Sequence, residues 1–194
     1  MLKKHQPKRI AVFCSANSEI ESEFFALAKS LSEGLARRKF QLVYGGARVG
    51  LMGALADAML EAGGIVRGAI TESLAATREM PHKGIQELVV VKDLFDRKRW
   101  MMDHADAFVI LPGGLGTLDE ALEVITWRAL KCHDKPILFV NIGGFWQSQL
   151  NVFAELEKRG MIRARVGGES RGEAQLYQVC NTLEEVWTVL DDIS

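Results

Sequence analysis

Residues 111–122, LPGGLGTLDEAL, join a glycine-rich turn to a threonine and two acids. Glycine lets the backbone approach an anion closely, and the free N–H groups at a helix start can bind phosphate. Glu120 could act there as a general base or stabilise a developing cation. The same spacing is also a capping box, in which Thr117 and Glu120 satisfy N–H groups of the first helical turn. The pattern therefore predicts a phosphate cradle beside a carboxylate, a helix cap, or a partial combination of the two.

A second glycine-rich loop, YGGARVGLMG at 44–53, also stands between an apolar run and a helical pattern. A third unusual loop, CSANS at 14–18, follows the first apolar run. Neither glycine loop matches a nucleotide fingerprint, because Gly50 and Gly116 are not followed by the Lys-Ser/Thr of a P-loop and no GxGxxG pattern is complete. Either loop alone could be a tight turn, whereas two in one sheet favour a phosphate site.

Three cations, Arg97, Lys98 and Arg99, stand at the start of a predicted helix. Positive charge near a helix N-terminus opposes the helix dipole, so another group should favour it there. An anionic ligand is one candidate. A solvated helix face is the alternative, and the pattern alone does not separate the two.

Short apolar runs alternate with longer amphipathic segments, and these elements must position the polar residues. The apolar runs are typical of buried strands, and the 3.6-residue spacing of the longer segments predicts helices. The predicted strands are 9–14, 40–46, 65–70, 87–91, 106–112 and 135–141. The predicted helices are 22–38, 50–64, 94–105, 117–131, 144–160 and 182–192.

This alternation predicts an α/β fold, a single-domain, Rossmann-like, doubly wound parallel sheet with helices on both faces. Ligands of such sheets bind beyond the carboxyl ends of the strands, where all three unusual loops are expected. Two segments, 71–86 and 167–175, are predicted to be irregular. The first follows a strand's carboxyl end, which favours a functional role.

The composition argues against nucleic-acid-binding and membrane-bound classes of protein. The chain has 194 residues, a net charge of −1 and a pI of about 6.4, which gives no electrostatic case for nucleic acid or membrane binding. One nucleotide-binding domain is predicted over 1–194, with residues 1–8 as a flexible tail. No apolar run approaches the ~20 residues of a membrane span, and a secretory leader is not expected.

The three cysteines are Cys14, Cys132 and Cys180. An odd number without a CxxC pair predicts free thiols in a reducing cytoplasm and no structural zinc. Cys14 ends a buried strand and is interpreted as a small apolar filler. The histidines show no metal-ligand spacing, so structural or solvent-facing roles are expected for them.

Taken together, YGGARVGLMG, DRKRWMM and PGGLGTLDE resemble the Lonely Guy family. These are cytokinin riboside 5′-monophosphate phosphoribohydrolases, often labelled lysine decarboxylases. The resemblance extends from AVFCSANS through EVITWRALKCHDKPILFVN, most of the chain. It implies a Rossmann-like fold, and a homodimer with the active site near the subunit interface. The implied reaction hydrolyses the N-glycosidic bond of an adenosine 5′-monophosphate, plain or N6-substituted, releasing the base and ribose 5-phosphate without a metal or organic cofactor.

The resemblance places the catalytic pair on Arg97 and Glu120. The positions it implies for substrate binding are Glu79, Lys98, Gly45, Gly46, Gly113, Gly114, Gly116, Thr117 and Thr126. The sequence departs from the family at CSANS, where CGSS is usual, and at Ala47–Arg48, where a third glycine is usual. A non-catalytic nucleotide or cofactor carrier on the same fold remains the alternative. The residues do not distinguish AMP from an N6-prenylated AMP.

Helix 117–131 predicts a further contact surface. Trp127, Leu122, Val124 and Ile125 make this helix apolar on more than one side. One face of such a helix packs on the core, and the other is consistent with a subunit interface.

Overall fold

A computed structural model describes residues 8–76, 80–162 and 176–193. Its centre is one seven-stranded sheet in which every neighbouring pair of strands is parallel. The strands are β1 Arg9–Phe13, β2 Gln41–Tyr44, β3 Ile65–Thr71, β4 Glu87–Val91, β5 Ala107–Ile110, β6 Ile137–Val140 and β7 Gln178–Cys180.

The strand order is β4-β3-β2-β1-β5-β6-β7, so the direction of winding reverses between β1 and β5. This confirms the predicted doubly wound fold, and it places the ligand crevice of such folds at the carboxyl ends of β1 and β5. The sequence reasoning missed β7. This edge strand has only three residues, Gln178 to Cys180, and the first two are exposed, so no apolar run marks it.

Seven α-helices cover the sheet in the described parts of the chain. They are α1 Ser22–Arg37, α2 Gly50–Glu61, α3 Glu72–Ala75, α4 Leu94–Asp103, α5 Leu115–Ala129, α6 Gln147–Lys158 and α7 Leu183–Asp191. The four-residue α3 lies inside the segment 71–86, which the sequence predicts to be irregular. The other six correspond to predicted helices, with ends shifted by a few residues.

Alternate side chains of the strands contribute to two hydrophobic cores, one on each face of the sheet. Ile10 and Val12 of β1 join the cluster that contains α1, α2 and α7, whereas Ala11 and Phe13 join the cluster that contains α4, α5 and α6. Successive side chains of a strand point to opposite faces, so one buried strand feeds both layers. Helices α4 and α5 therefore lie on the same face of the sheet.

The last helix is tied to the first. The Arg38 guanidinium lies 4.3 Å from the centroid of the Trp187 ring and donates to Asp191 at 2.9 Å. Trp187 packs directly on Gly34, where a Cβ atom would overlap its ring. This contact lies in the α1–α7 layer, on the opposite face of the sheet from α4 and α5.

In residues 8–76, 80–162 and 176–193, no helix is long and apolar enough to span a membrane. The same ranges contain no group of three or more His, Cys, Asp or Glu side chains arranged to hold a metal ion.

Candidate active site

The three unusual loops meet at the carboxyl edge of the sheet. They follow β1, β2 and β5, which are neighbouring strands. The Ser15 N–H donates to the Pro112 carbonyl oxygen at 3.2 Å, and the Ser15 carbonyl accepts from the Leu51 N–H at 3.0 Å. The Gly50 N–H donates to the Ser18 hydroxyl at 3.2 Å. The first loop is therefore bonded to both glycine loops, and the predicted meeting of all three is confirmed.

The second loop needs glycine at two positions for backbone reasons. Gly46 has φ +76° and Gly50 has φ +54°, a region that other residues rarely adopt. A Cβ atom on Gly50 would also overlap the backbone of Ala16 in the first loop. Between them, Ala47 is fully buried and the Arg48 side chain is exposed. The family departure at these two positions thus puts one small side chain inside and one cation outside.

A returning segment clamps this loop from the side. The Arg48 N–H donates to the Met80 carbonyl oxygen at 2.8 Å, and the His82 N–H donates to the Gly46 carbonyl oxygen at 3.0 Å. The buried His82 ring also hydrogen-bonds the Asp57 carboxylate of α2 at 2.9 Å. His82 thus has the structural role expected of the histidines, and it anchors the chain just after the predicted substrate contact Glu79.

The third loop leads directly into α5. Gly114 is the N-cap residue, no side chain caps this helix, and the Leu118 N–H donates to the Gly114 carbonyl at 3.0 Å. Thr117 is buried in the first turn rather than preceding it. The capping-box interpretation of Thr117 and Glu120 is therefore wrong, because the helix begins two residues earlier than predicted.

The glycines of the third loop differ in their surroundings. A Cβ atom on Gly113 would overlap the Thr117 hydroxyl, so that space is already filled by the protein. Cβ atoms on Gly114 and Gly116 would meet no atom of the described residues within 4 Å. The N-terminus of α5 therefore faces open space on the side of Gly114 and Gly116, where its free N–H groups favour an anion.

Arg97 projects from α4 toward the second loop and is 7% exposed. Its Nε donates to the Ala69 carbonyl oxygen at 3.1 Å, and its Nη2 donates to the Gly45 carbonyl oxygen at 2.8 Å. These carbonyls belong to β3 and to the loop after β2. The guanidinium is thus fixed at the sheet edge by backbone groups of one strand and one loop.

The pKa of the Cys14 thiol, directly after β1, is influenced by both predicted catalytic charges. Burial raises the pKa of its thiol well above the ordinary value, the Glu120 carboxylate raises it further, and the Arg97 guanidinium lowers it. Both charged groups therefore influence the pKa of the same thiol, which directly follows the central strand. The thiol stays protonated at neutral pH, which favours the predicted filler role over a nucleophilic one.

Comparison with known proteins assigns the chain to a family. A family model described as "Possible lysine decarboxylase" matches residues 52–190. A cytokinin riboside 5′-monophosphate phosphoribohydrolase of Rhodococcoides fascians is 44% identical over 156 residues, 80% of this chain and 79% of that protein. The Arabidopsis thaliana enzyme LOG2 is 37% identical over 189 residues, 97% of this chain and 88% of that enzyme. The chain belongs to the Lonely Guy family.

Solved structures support the fold assigned to this Lonely Guy protein. The molybdenum cofactor carrier protein of Chlamydomonas reinhardtii aligns with a TM-score of 0.71 at 16% identity, covering 96% of this chain and 98% of that chain. The molybdenum cofactor binding protein of Rippkaea orientalis gives 0.71 at 17% identity, covering 97% and 98%. At such identities the likeness concerns the fold alone.

The sheet brings most of the implied Lonely Guy positions together. Those in the loops after β2 and β5 lie at one edge, and they are Gly45, Gly46, Gly113, Gly114, Gly116 and Thr117. Thr126 is exposed on α5. It lies about 18 Å along the helix from Gly114, at 1.5 Å per residue, and so apart from the glycines. Glu79 lies outside the described residues.

Two of the three cations of α4, Arg97 and Lys98, have partners within the protein, whereas Arg99 is exposed. Asp93 caps the helix by accepting from the Asp96 N–H at 2.9 Å, so acids surround the N-terminus. Lys98 Nζ lies 2.6 Å from a Glu123 carboxylate oxygen and 3.0 Å from one of Asp119. The Lys98 side chain is 12% exposed. The sequence suggested that an anionic ligand offsets the positive charge at the start of this helix. In the structure, carboxylates and backbone carbonyls of the protein do so.

Sequence reasoning missed Asp119 and Glu123 as members of this cluster. Residues four apart lie on one face of a helix, so their spacing in α5 was a usable signal. Nothing local indicates that α4 would lie against that face. Their contact with Lys98 follows from the packing of both helices on one core.

Proposed function

We propose that this protein hydrolyses the N-glycosidic bond of a nucleoside 5′-monophosphate, AMP or an N6-substituted AMP, and releases the free base and ribose 5-phosphate. Curated relatives that align with most of this chain are named for this reaction. The observation that supports the proposal most is the convergence of the loops after β1, β2 and β5 on one point, where the buried Arg97 guanidinium is bonded to the Gly45 carbonyl. That point lies at the topological switch of the sheet, between two glycine loops.

Glu120 carries the chemistry in this proposal. Departure of the base leaves oxocarbenium-like positive charge on the ribose, as in other glycoside cleavage. A carboxylate near C1′ stabilises that charge and accepts a proton from the attacking water. Its position on α5, one turn beyond the helix start, fits a group that works beside a phosphate bound at the helix N-terminus.

Arg97 serves as a fixed positive charge. A guanidinium keeps its proton at neutral pH, so Arg97 orients Glu120 or the nucleotide and donates no proton. Its bonds to the Ala69 and Gly45 carbonyls hold it before substrate arrives. Preorganised charge of this kind needs little rearrangement during the reaction.

The glycines and Thr117 hold the 5′-phosphate in this proposal. Binding energy from the phosphate, remote from the reacting bond, is used to align C1′ with Glu120. Glu79 and Thr126 stay predicted contacts for ligand groups farther from the phosphate. The roles proposed here use groups of the chain and need no metal or organic cofactor.

Gly116→Ala is expected to separate stability from function. The new Cβ meets no atom in the described parts of the chain, and alanine is the better helix former, so the free energy of unfolding should rise by about 0.5–1 kcal/mol. The methyl group would occupy the proposed phosphate space, so KM for AMP should rise about tenfold, equivalent to ~1.4 kcal/mol. Urea unfolding and steady-state kinetics measure the two effects. Gly113→Ala, which overlaps Thr117, should instead lower stability. An unchanged KM for Gly116→Ala would mean that no phosphate lies against Gly116.

The function is tested by incubating the protein separately with AMP and isopentenyladenosine 5′-monophosphate. Chromatography then quantifies free base and ribose 5-phosphate. Release of both products in equal amounts supports the proposed hydrolysis, and the two rates give the base preference. Intact nucleotide that co-purifies with the protein after long incubation would favour the carrier alternative.

Amino-acid decarboxylation receives no support from the lysines near the site. A Schiff-base lysine needs a lowered pKa. Burial lowers the pKa of Lys98, but hydrogen bonds to Glu123 and Asp119 outweigh it and raise that pKa overall. Lys135, whose pKa burial does lower, precedes β6 at the opposite, amino edge of the sheet.

A homodimer is part of the proposal. Large apolar side chains are exposed on neighbouring helices α4 and α5, and they include Phe95 at 73%, Leu115 at 86% and Leu122 at 45%. Leu115 and Leu122 are seven residues apart, so they share one helix face. A second copy of the chain would remove this apolar surface from water.

Leu122→Glu is therefore expected to shift the protein from dimer to monomer, because a carboxylate in an apolar interface loses its hydration. Sedimentation equilibrium measures the mass against 21.5 kDa for one chain. Val152→Glu, at an exposed valine of α6, is the matched control and should leave the dimer intact. A wild-type protein that sediments as a monomer would contradict the proposed dimer.

We also infer that the chain is one nucleotide-binding domain that works in the cytoplasm. The last helix shares a core with β1, which supports a single domain. The three cysteines are free thiols, as expected in a reducing compartment. The net charge of −1 offers no field for nucleic acid.

A further inference from the structure

Lys98 lies in a cluster of opposite charges between α4 and α5. Its ammonium is 2.6 Å from Glu123 Oε2 and 3.0 and 3.2 Å from the two Asp119 carboxylate oxygens. The side chain is largely buried, at 12% exposure, and the Glu123 side chain is 23% exposed. A partly buried, multiply bonded pair is screened less by water than an ordinary surface ion pair.

This cluster sits next to both proposed catalytic residues. Lys98 directly follows Arg97 in α4, and Asp119 directly precedes Glu120 in α5. The two helices are consecutive, joined through β5, and share one core through Met101, Ala121 and their neighbours. The ion pairs therefore join the helix that carries the guanidinium to the helix that carries the carboxylate.

The same contacts argue against a direct phosphate contact by Lys98. An ammonium has three donors, and oxygens of Glu123 and Asp119 already surround it. The cluster has two negative charges and one positive charge, so it repels a phosphate dianion. A phosphate ligand would have to displace carboxylates that belong to the protein.

We propose that Lys98 is a positioning residue, which sets the placement of Arg97 relative to Glu120 through its ion pairs with Asp119 and Glu123. This inference rests on the proposed hydrolase function for its kinetic readout. It assigns to Lys98 a role other than the phosphate contact implied by the family resemblance. Because misplacement of catalytic groups by about 1 Å can reduce a rate about 100-fold, the cluster should act on kcat.

The test compares Lys98→Met, Lys98→Arg and Glu123→Gln with the wild-type protein, using AMP hydrolysis. Lys98→Met should lower kcat by roughly 10- to 100-fold, and Glu123→Gln should lower it by a smaller factor. In both variants KM should change less than about threefold. Lys98→Arg keeps a cation and should recover part of kcat. The double variant Lys98→Met/Glu123→Gln should be no worse than Lys98→Met, because both changes remove one interaction.

Glu123→Gln separates the two roles most sharply. It leaves Lys98 in place but removes the charge of the carboxylate nearest to its ammonium. If Lys98 bound the phosphate, this change would make its ammonium more available, so KM for AMP would fall or stay constant and kcat would be unchanged. A positioning role for Lys98 predicts a lower kcat instead. Raised KM for Lys98→Met with unchanged kcat, or wild-type kinetics in both variants, would overturn the proposal.

Calorimetry with ribose 5-phosphate gives a readout that does not need turnover. Positioning predicts similar affinity in the wild-type protein, Lys98→Met and Glu123→Gln. Loss of affinity in Lys98→Met alone would identify Lys98 as a phosphate ligand and overturn the proposal. If the wild-type protein hydrolyses neither nucleotide, the proposed function fails, and this binding comparison still decides whether Lys98 contacts phosphate.

Discussion

Replacing Glu120 with glutamine is expected to reduce base release from AMP by about 10²–10⁴-fold, the usual contribution of a positioned proton-transfer group. Glutamine keeps the shape of the side chain but neither accepts a proton from water nor offsets the positive charge on the ribose. The effect should appear in kcat, since the charge that Glu120 stabilises develops only in the transition state. Chromatographic assay of base and ribose 5-phosphate measures it.

The control is a carboxylate remote from the site. Glu155→Gln removes an exposed acid of α6 that pairs with Arg159, and such surface pairs contribute little. It should keep wild-type activity. Circular dichroism and urea unfolding establish that Glu120→Gln folds, and calorimetry establishes that it still binds AMP. Near wild-type turnover by the folded variant would remove Glu120 from the mechanism.

A carrier predicts a different pattern from the same experiment. Wild-type and Glu120→Gln proteins would both bind nucleotide and both leave it intact. The solved structures of similar fold include molybdenum cofactor carriers, but identities of 16–17% relate them to this chain by fold alone. The curated relatives at 37–44% identity are named as phosphoribohydrolases, which supports the hydrolase.

The sheet and the meeting of the loops could be predicted because both follow from local patterns. Alternating apolar and amphipathic runs specify parallel strands with helical crossovers, and such sheets bind ligands at the carboxyl edge. The loops after β1, β2 and β5 are found there, joined by bonds such as Ser15 N–H to Pro112. The strand order itself depends on how crossovers pack, and no single run encodes it.

The start of α5 shows where local patterns fail. Thr-x-x-Glu matches a capping box, yet Gly114 caps the helix by backbone conformation and Thr117 is buried against Gly113. Packing of the loop thus outweighs the side-chain signal. The edge strand β7 was missed for a related reason, since its pairing with β6 and not its composition defines it.

The partners of the Arg97 and Lys98 side chains could not be predicted from the sequence. Arg97 donates to carbonyls 28 and 52 residues away, and every residue offers a carbonyl, so no residue type marks the right ones. Lys98 pairs with Asp119, 21 residues away, in a helix that reaches it only after folding. Such contacts are set by the arrangement of layers, and they decide which cations remain available to a ligand.

The placement of Arg97 gives the second large expected effect. A Cβ atom on Gly45 would overlap the Arg97 guanidinium, so Gly45→Ala should displace that group without removing its charge. Arg97 would lose its 2.8 Å bond to the Gly45 carbonyl. We expect stability to fall by about 1–3 kcal/mol, as for a disrupted buried hydrogen bond to a charged group, and kcat to fall about 100-fold.

Gly34→Ala is the matched control for this change. Its Cβ would overlap Trp187 in the α1–α7 layer, on the other face of the sheet from Arg97, so it should also destabilise the fold. Urea unfolding and AMP hydrolysis are measured for both variants under conditions in which both are folded. Loss of kcat in Gly45→Ala but not in Gly34→Ala would separate the placement of Arg97 from general stability. Equal kcat in the two variants would mean that the guanidinium need not be held against the Gly45 carbonyl, and the preorganised role of Arg97 would fail.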